Sequence, residues 1–235
     1  MAAESEPIRL YYWPTPNGRK ISIMLEECEL AYKAVMVDIT TGEQFAPSFL
    51  AISPNNRIPA IVDPEGPDGE PISVFESGAI LKYLARKTGR FGGATERERV
   101  AVEEWLFWQV GGLGPMAGQA SHFRLYAAEN IPYAIQRYTD EVHRLFGVMN
   151  TRLATHEYLA GSYSIADMAS IGWVRIWRRL GQELDDFPHL RRWSNALHAR
   201  PAVSRAIALD DADRRRIDLA TDDTARATLF GQRAR

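Results

Sequence analysis

Residues 8–18 read IRLYYWPTPNG, and the order of parts in that stretch decides the fold. Residues 8–13 are rich in β-formers and predict a strand. Prolines at 14 and 16, followed by Gly18, break it. Just beyond, Ile21, Met24, Leu25 and Cys28 recur at i, i+3, i+4 and i+7, the apolar face of a helix. The alternation continues. Residues 33–38 (KAVMVD) predict a second strand, and residues 44–52 a short helix with Phe45, Phe49 and Ile52 on one face. Residues 58–62, with Pro59 inside, predict a third strand and residues 71–74 a short fourth. Residues 76–87 predict a helix with Ile80, Tyr83 and Leu84 inward. The order β-α-β-α-β-β-α describes an α/β unit of about 85 residues.

Residues 89–94 (GRFGGA) read as a linker. Thr95 and Glu98 have capping-box spacing and open a run with helical periodicity only. Val102, Trp105, Leu106 and Leu113 mark one stripe, with a kink expected at GGLGP over 111–115. Ile131, Ile135, Tyr138, Val142, Leu145 and Met149 predict a long amphipathic helix. Ser164 and Asp167 open another helix by the same capping logic, and residues 190–200 form one more, stopped by Pro201. The expected fold class is α+β with two domains, an α/β unit over 1–89 and an all-α bundle over 95–220. Residues 221–235 mix Asp, Arg, Thr and Ala without a stripe and are expected to be a loosely held tail.

The chain has 235 residues, 46% of them hydrophobic and 25% charged, enough apolar material for a sizeable core. A net charge of −2 argues against a nucleic-acid partner, which a basic excess would serve. No apolar run reaches membrane-spanning length, and residues 1–10 lack the basic and apolar regions of a signal peptide, so no membrane partner is expected. The single cysteine, Cys28, allows no internal disulfide and suits a reducing, cytoplasmic setting.

Three features carry chemistry. At the turn before the first helix, free N–H groups and the helix dipole favour an anion, including a thiolate. Thr15 and Asn17 stand there, able to donate to sulfur but not to perform thiol chemistry. By itself the turn reads equally as a plain proline-containing N-cap. Arg57-Ile58-Pro59-Ala60 enters a strand beside it. A cis bond at Pro59 would turn the Ile58 N–H and C=O outward to pair with an extended peptide. Cis is the minority form, so the residue types alone favour an ordinary trans proline. At Phe75-Glu76-Ser77, Glu76 is positioned to accept from an ammonium and Ser77 to hold a carboxylate; an acid at a helix start is otherwise a dipole partner.

Other residues read as structural. Cys28 falls on the inner stripe of its helix, and alternation sends one of Tyr11 and Tyr12 into the core. The five histidines show no metal spacing; His122 is the one considered for the cleft. Asp167 is a cap, Trp105 and Trp108 pack, and Arg214–Arg216 form a solvated helix face.

In combination these features resemble the cytosolic glutathione transferases. The motifs are the TPN turn at 15–17, SPNNRIPAIVD at 53–63, FESGAI at 75–80, WLFWQVGGLGPM at 105–116, IPYAIQRY at 131–138 and YSIAD at 163–167. The chain is most similar to the nu class, the bacterial glutathione-transferase-like disulfide-bond reductases.

That resemblance implies a thioredoxin-like N-terminal domain, a helical C-terminal domain and a homodimer. It implies glutathione as co-substrate, a small-molecule disulfide or electrophile as second substrate, and no metal. Thr15 and Asn17 would hold the glutathione sulfur as the catalytic pair. Gln44, Arg57 and the Ile58 main chain would hold the cysteinyl and glycyl portion, and Glu76 and Ser77 the γ-glutamyl end. Arg137 matches a basic residue contributed by the neighbouring subunit. The implied activity is glutathione-dependent disulfide reduction. Conjugation of electrophiles, reduction of organic peroxides and non-catalytic glutathione binding are the alternatives.

Overall fold

Burial alternates along β1 (Ile8–Tyr12): Ile8, Leu10 and Tyr12 are buried, Arg9 is exposed and Tyr11 half-buried. This period of two gives the strand one fully covered face and one partly covered face. Tyr12 is wholly enclosed, while Tyr11 faces the other way and packs on Phe49, ring centroids 5.9 Å apart. The computed structural model describes residues 6–209 and 222–232.

α1 (Pro16–Glu27) carries the chain from β1 to β2 (Tyr32–Met36), which pairs parallel to β1 in the register Ile8↔Tyr32 through Tyr12↔Met36. Parallel neighbours require such a crossover. Two antiparallel strands, β3 (Ala60–Asp63) and β4 (Ile72–Phe75), complete the sheet in the order β2-β1-β3-β4. The short α2 (Pro47–Leu50) precedes β3, and α3 (Ser77–Thr88) follows β4. Tyr83 on α3 donates to Asp63 at 2.6 Å, tying helix to sheet. The expected β-α-β-α-β-β-α order is the observed one.

Several boundaries differ from expectation for local reasons. β2 ends at Met36 because Asp38 is taken by a turn, its Oδ1 accepting from Thr40 N at 2.9 Å and Thr40 Oγ1 at 2.5 Å. β3 begins at Ala60, two residues late, and the Ile58–Pro59 bond before it is cis, not the trans form that the residue types favour. α1 is enclosed beyond its predicted stripe, with Ser22 and Ile23 buried beside Ile21, Met24 and Leu25.

The helical part starts at α4 (Glu96–Trp108) with the predicted capping box: Thr95 Oγ1 accepts from Glu98 N at 3.3 Å, and Glu98 Oε2 from Thr95 N at 3.0 Å. The expected kink is a π-helical turn over Gln109–Leu113, after which Pro115 sits in the first turn of α5 (Gly114–Ser121). A second π-helical turn leads towards α6 (Pro132–Leu153), then α7 (Ile165–Val174), α8 (Pro188–His198) and α9 (Pro201–Ala208). Pro201 therefore ends one helix and begins the next. Within the stretch read as a tail, α10 (Asp223–Phe230) is capped by Asp222, which accepts from Ala225 N at 2.9 Å. Arg214–Arg216 lie outside the described residues.

The chain divides into two compact units, Met1–Leu84 with Arg205–Arg235, and Ala85–Ser204. Among the described residues no helix is long and apolar enough to cross a membrane.

Candidate functional site

One edge of the sheet collects the predicted residues, and the strand register explains why. Ala60 pairs with Tyr11 on one side and with Phe75 on the other. The exit from β1, the entry to β3 and the exit from β4 therefore meet. Tyr12 pairs with Met36, so the exit from β2 lies at the same edge. These four segments lead respectively to Thr15 and Asn17, to Ile58, to Glu76 and Ser77, and to Gln44.

At the first of them Thr15 is the N-cap of α1. Its Oγ1 accepts from Gly18 N at 3.1 Å. A hydroxyl that accepts on the protein side keeps its own hydrogen for an outside acceptor. Asn17, half-buried, lies in the first helical turn, where main-chain N–H groups have no intrahelical partner. Gly18 is required by contact: a Cβ there would stand 2.4 Å from the Trp13 carbonyl oxygen. The turn thus offers hydroxyl, amide and helix dipole to an anion, and no protein sulfur. Cys28 is at the far end of α1, buried against Met24.

Ile58 stands outside the β3 ladder, half-buried, with its side chain packed against Val37, Phe49 and Ala60. Arg57 is exposed and its carbonyl accepts from Ser53 Oγ at 2.9 Å. Gln44 is 1% exposed; its Nε2 donates to the Ile39 carbonyl at 2.9 Å, and its buried Oε1 has no hydrogen-bond partner among the described residues.

Glu76 precedes α3 at φ 69°, left-handed backbone that a glutamate rarely adopts. Its carbonyl accepts from Ile80 N at 2.9 Å, and its exposed carboxylate accepts from Asn55 Nδ2 at 3.3 Å. Ser77 opens α3, so its N–H belongs to the first turn, where main-chain N–H groups have no intrahelical partner, and its hydroxyl stands beside it. Beneath lies a residue that periodicity passes over. Lys20 is 2% exposed, with Nζ 3.2 Å from Ser77 Oγ. Burial pulls the Lys20 ammonium down to about 7, against the upward pull of the Glu76 carboxylate. No local signal marked Lys20 in the sequence; for Asn55 the signal was membership of SPNNRIPAIVD.

Thr15, Asn17, Gln44, Arg57, Ile58, Glu76 and Ser77 all belong to the first unit, and Arg137 to the second. Arg137 is exposed on α6, with Nη1 3.6 Å from Glu141 Oε2. His122 is half-buried with its ring 5.1 Å from Phe123, and burial lowers its pKa. Trp105 and Trp108 meet edge to face at 5.3 Å. Among the described residues no cluster of His, Cys, Asp and Glu could hold a metal ion.

Residues 6–86 match the glutathione S-transferase N-terminal domain, and residues 121–201 the glutathione S-transferase C-terminal domain. The chain is 54% identical over 202 residues to the disulfide-bond oxidoreductase YfcG of Escherichia coli, covering 85% of this chain and 94% of that protein. A glutathione transferase family member from Pseudomonas fluorescens, solved with two glutathiones bound, superposes with TM-score 0.82 at 42% identity, over 88% of this chain and 94% of the other. A glutathione transferase from Pseudomonas putida, with one glutathione disulfide bound per subunit, gives TM-score 0.83 at 42% identity, over 88% and 93%. Two family domains in the family's order, on a thioredoxin-like sheet followed by helices, identify this chain as a member of the glutathione S-transferase family.

Proposed function

We propose that this protein is a glutathione-dependent disulfide-bond oxidoreductase whose reactive sulfur is that of bound glutathione. The observation that carries the reading is the start of α1, where Thr15 and Asn17 present donors at a helix N-terminus while the single cysteine lies buried at the other end. The shared sequence with YfcG and the glutathione disulfide held by the Pseudomonas putida relative support it.

A free thiol has a pKa of about 8.5 and is only a few per cent ionised near neutral pH. Each unit of lowering corresponds to about 1.4 kcal/mol in favour of the thiolate. The Thr15 hydroxyl, the Asn17 amide and the α1 dipole act in that direction. The thiolate attacks one sulfur of a disulfide RSSR, forms the mixed disulfide and releases RS⁻. A second glutathione thiolate attacks the glutathione sulfur of the mixed disulfide, forms glutathione disulfide and releases the other RS⁻. Two electrons pass from two glutathiones to the substrate, and the two thiolates released take up the protons the glutathiones lost.

On this reading Glu76 accepts from the ligand ammonium, Ser77 donates to the glutamyl carboxylate, and Ile58 and Gln44 hold the remaining backbone. A homodimer would add Arg137 from the second copy. Steady-state reduction of 2-hydroxyethyl disulfide by glutathione, coupled to glutathione reductase, tests the proposal. Turnover well above the uncatalysed exchange is expected. Glutathione binding without turnover would favour a non-catalytic binding protein.

A further inference from the structure

Lys20 is a buried cation that the proposed mechanism does not use. It occupies the second turn of α1 with 2% of its surface exposed. An ammonium taken out of water needs charged or polar partners to replace its hydration, and an apolar residue of similar length would fill the same volume without that penalty. Packing therefore does not account for the charge.

Its geometry points to the neighbouring ligand subsite. Nζ donates to Ser77 Oγ at 3.2 Å, joining the heads of α1 and α3 across 57 residues of sequence. An ammonium has three hydrogens to donate and no lone pair to offer. With Lys20 charged, Ser77 Oγ accepts and its own hydrogen is turned away from Lys20. With the main-chain N–H at the start of α3, this gives a carboxylate two converging donors. Glu76, the next residue back, supplies the opposite charge that keeps the ammonium in place, itself held by Asn55.

We infer that Lys20 is a positioning residue for the glutamyl α-carboxylate of the ligand: its ammonium orients the Ser77 hydroxyl as a donor and places a positive charge behind the carboxylate. The inference rests on the glutathione reading above. It makes the subsite selective for γ-glutamyl compounds with a free α-carboxylate. Burial lowers the Lys20 pKa while Glu76 raises it, and a bound carboxylate also raises it, so binding favours the charged form.

The test is calorimetric binding of S-methylglutathione, which has no thiol to titrate, to the full chain and its variants. A second ligand replaces the glutamyl residue with 4-aminobutyrate, which removes only the α-carboxylate. Lys20→Met should weaken S-methylglutathione by about tenfold, the effect of one charge-assisted contact. The same substitution should change binding of the second ligand by less than about twofold. Adding Lys20→Met to Ser77→Ala should cause a smaller loss than Lys20→Met causes alone, because part of the lysine's effect runs through the Ser77 hydroxyl. Unchanged affinity for S-methylglutathione in folded Lys20→Met overturns the inference, as does equal weakening of both ligands. If Lys20→Met does not fold, Lys20→Gln carries the same comparison. Failure of the unaltered protein to bind S-methylglutathione would instead overturn the glutathione reading, and this inference with it.

Discussion

The indole N–H of Trp193 donates to Asp167 Oδ1 at 2.8 Å, and both residues are wholly buried. The same carboxylate accepts from Leu159 N at 3.0 Å and from Ser164 N at 3.0 Å and Oγ at 3.2 Å. A cap read locally is thus also the tie between α7, the segment before it and α8.

Asp167→Ala leaves these donors buried without an acceptor. Each such group costs about 1–3 kcal/mol, so a total loss of about 3 kcal/mol or more is expected in urea unfolding. Burial, which outweighs the opposing hydrogen bonds, raises the Asp167 pKa from 3.8 to about 6. The folded state then holds its proton to higher pH than the unfolded chain does. This group's contribution to stability is full below 3.8 and falls as pH rises to about 6. Asp167→Asn should remove that slope.

Lys20 has the opposite signature. Its folded pKa of about 7 lies below the ordinary 10.5, so between those values the unfolded chain binds more protons. The ligand-free protein should gain stability from this group as pH rises from about 7 towards 10.5. Chemical unfolding of Lys20→Met across that range should lack the gain; parallel curves for the two proteins would contradict the buried-ammonium assignment.

Thr15→Ala should lower kcat/KM for disulfide reduction by roughly 10- to 100-fold through loss of one donor to sulfur. It also removes an N-cap, at about 1 kcal/mol of stability. Thr15→Ser retains both functions and should recover most of each, which separates the two effects. An unchanged rate in the alanine variant would remove Thr15 from the mechanism.

Arg137 offers a choice between two roles. Its exposed pairing with Glu141, at 3.6 Å, is worth at most a few tenths of a kcal/mol. If a second copy brings this guanidinium to the glutathione carboxylate, Arg137→Ala should weaken glutathione binding several-fold at unchanged stability, measured by calorimetry on a sample of verified assembly state. Full affinity in an intact dimer would leave Arg137 as a surface ion pair.

Cys28→Ala should keep disulfide reductase activity within a few-fold. The thiol is buried against Met24 at 4.0 Å, at the other end of α1 from Thr15. A small cavity should cost about 1–2 kcal/mol. Loss of turnover in a variant that folds and binds glutathione would overturn the mechanism that uses no protein cysteine.

The order of strands and helices was legible from residues 8–88 because strand and helix periods are local properties. Both capping boxes, Thr95 with Glu98 and Ser164 with Asp167, were legible for the same reason, since each spans three residues. Motif resemblance named Thr15, Ile58, Glu76 and Ser77 before any register was known. It did not show why they meet. That follows from Ala60 pairing with both Tyr11 and Phe75, a match set by packing between strands distant in sequence. The cis form at Ile58–Pro59, the tie of Trp193 to Asp167 and the contact of Lys20 with Ser77 were decided there too. Periodicity tells which face of an element is covered and not by what, so a lysine on an enclosed helix reads as surface until the fold places a hydroxyl and a carboxylate against it.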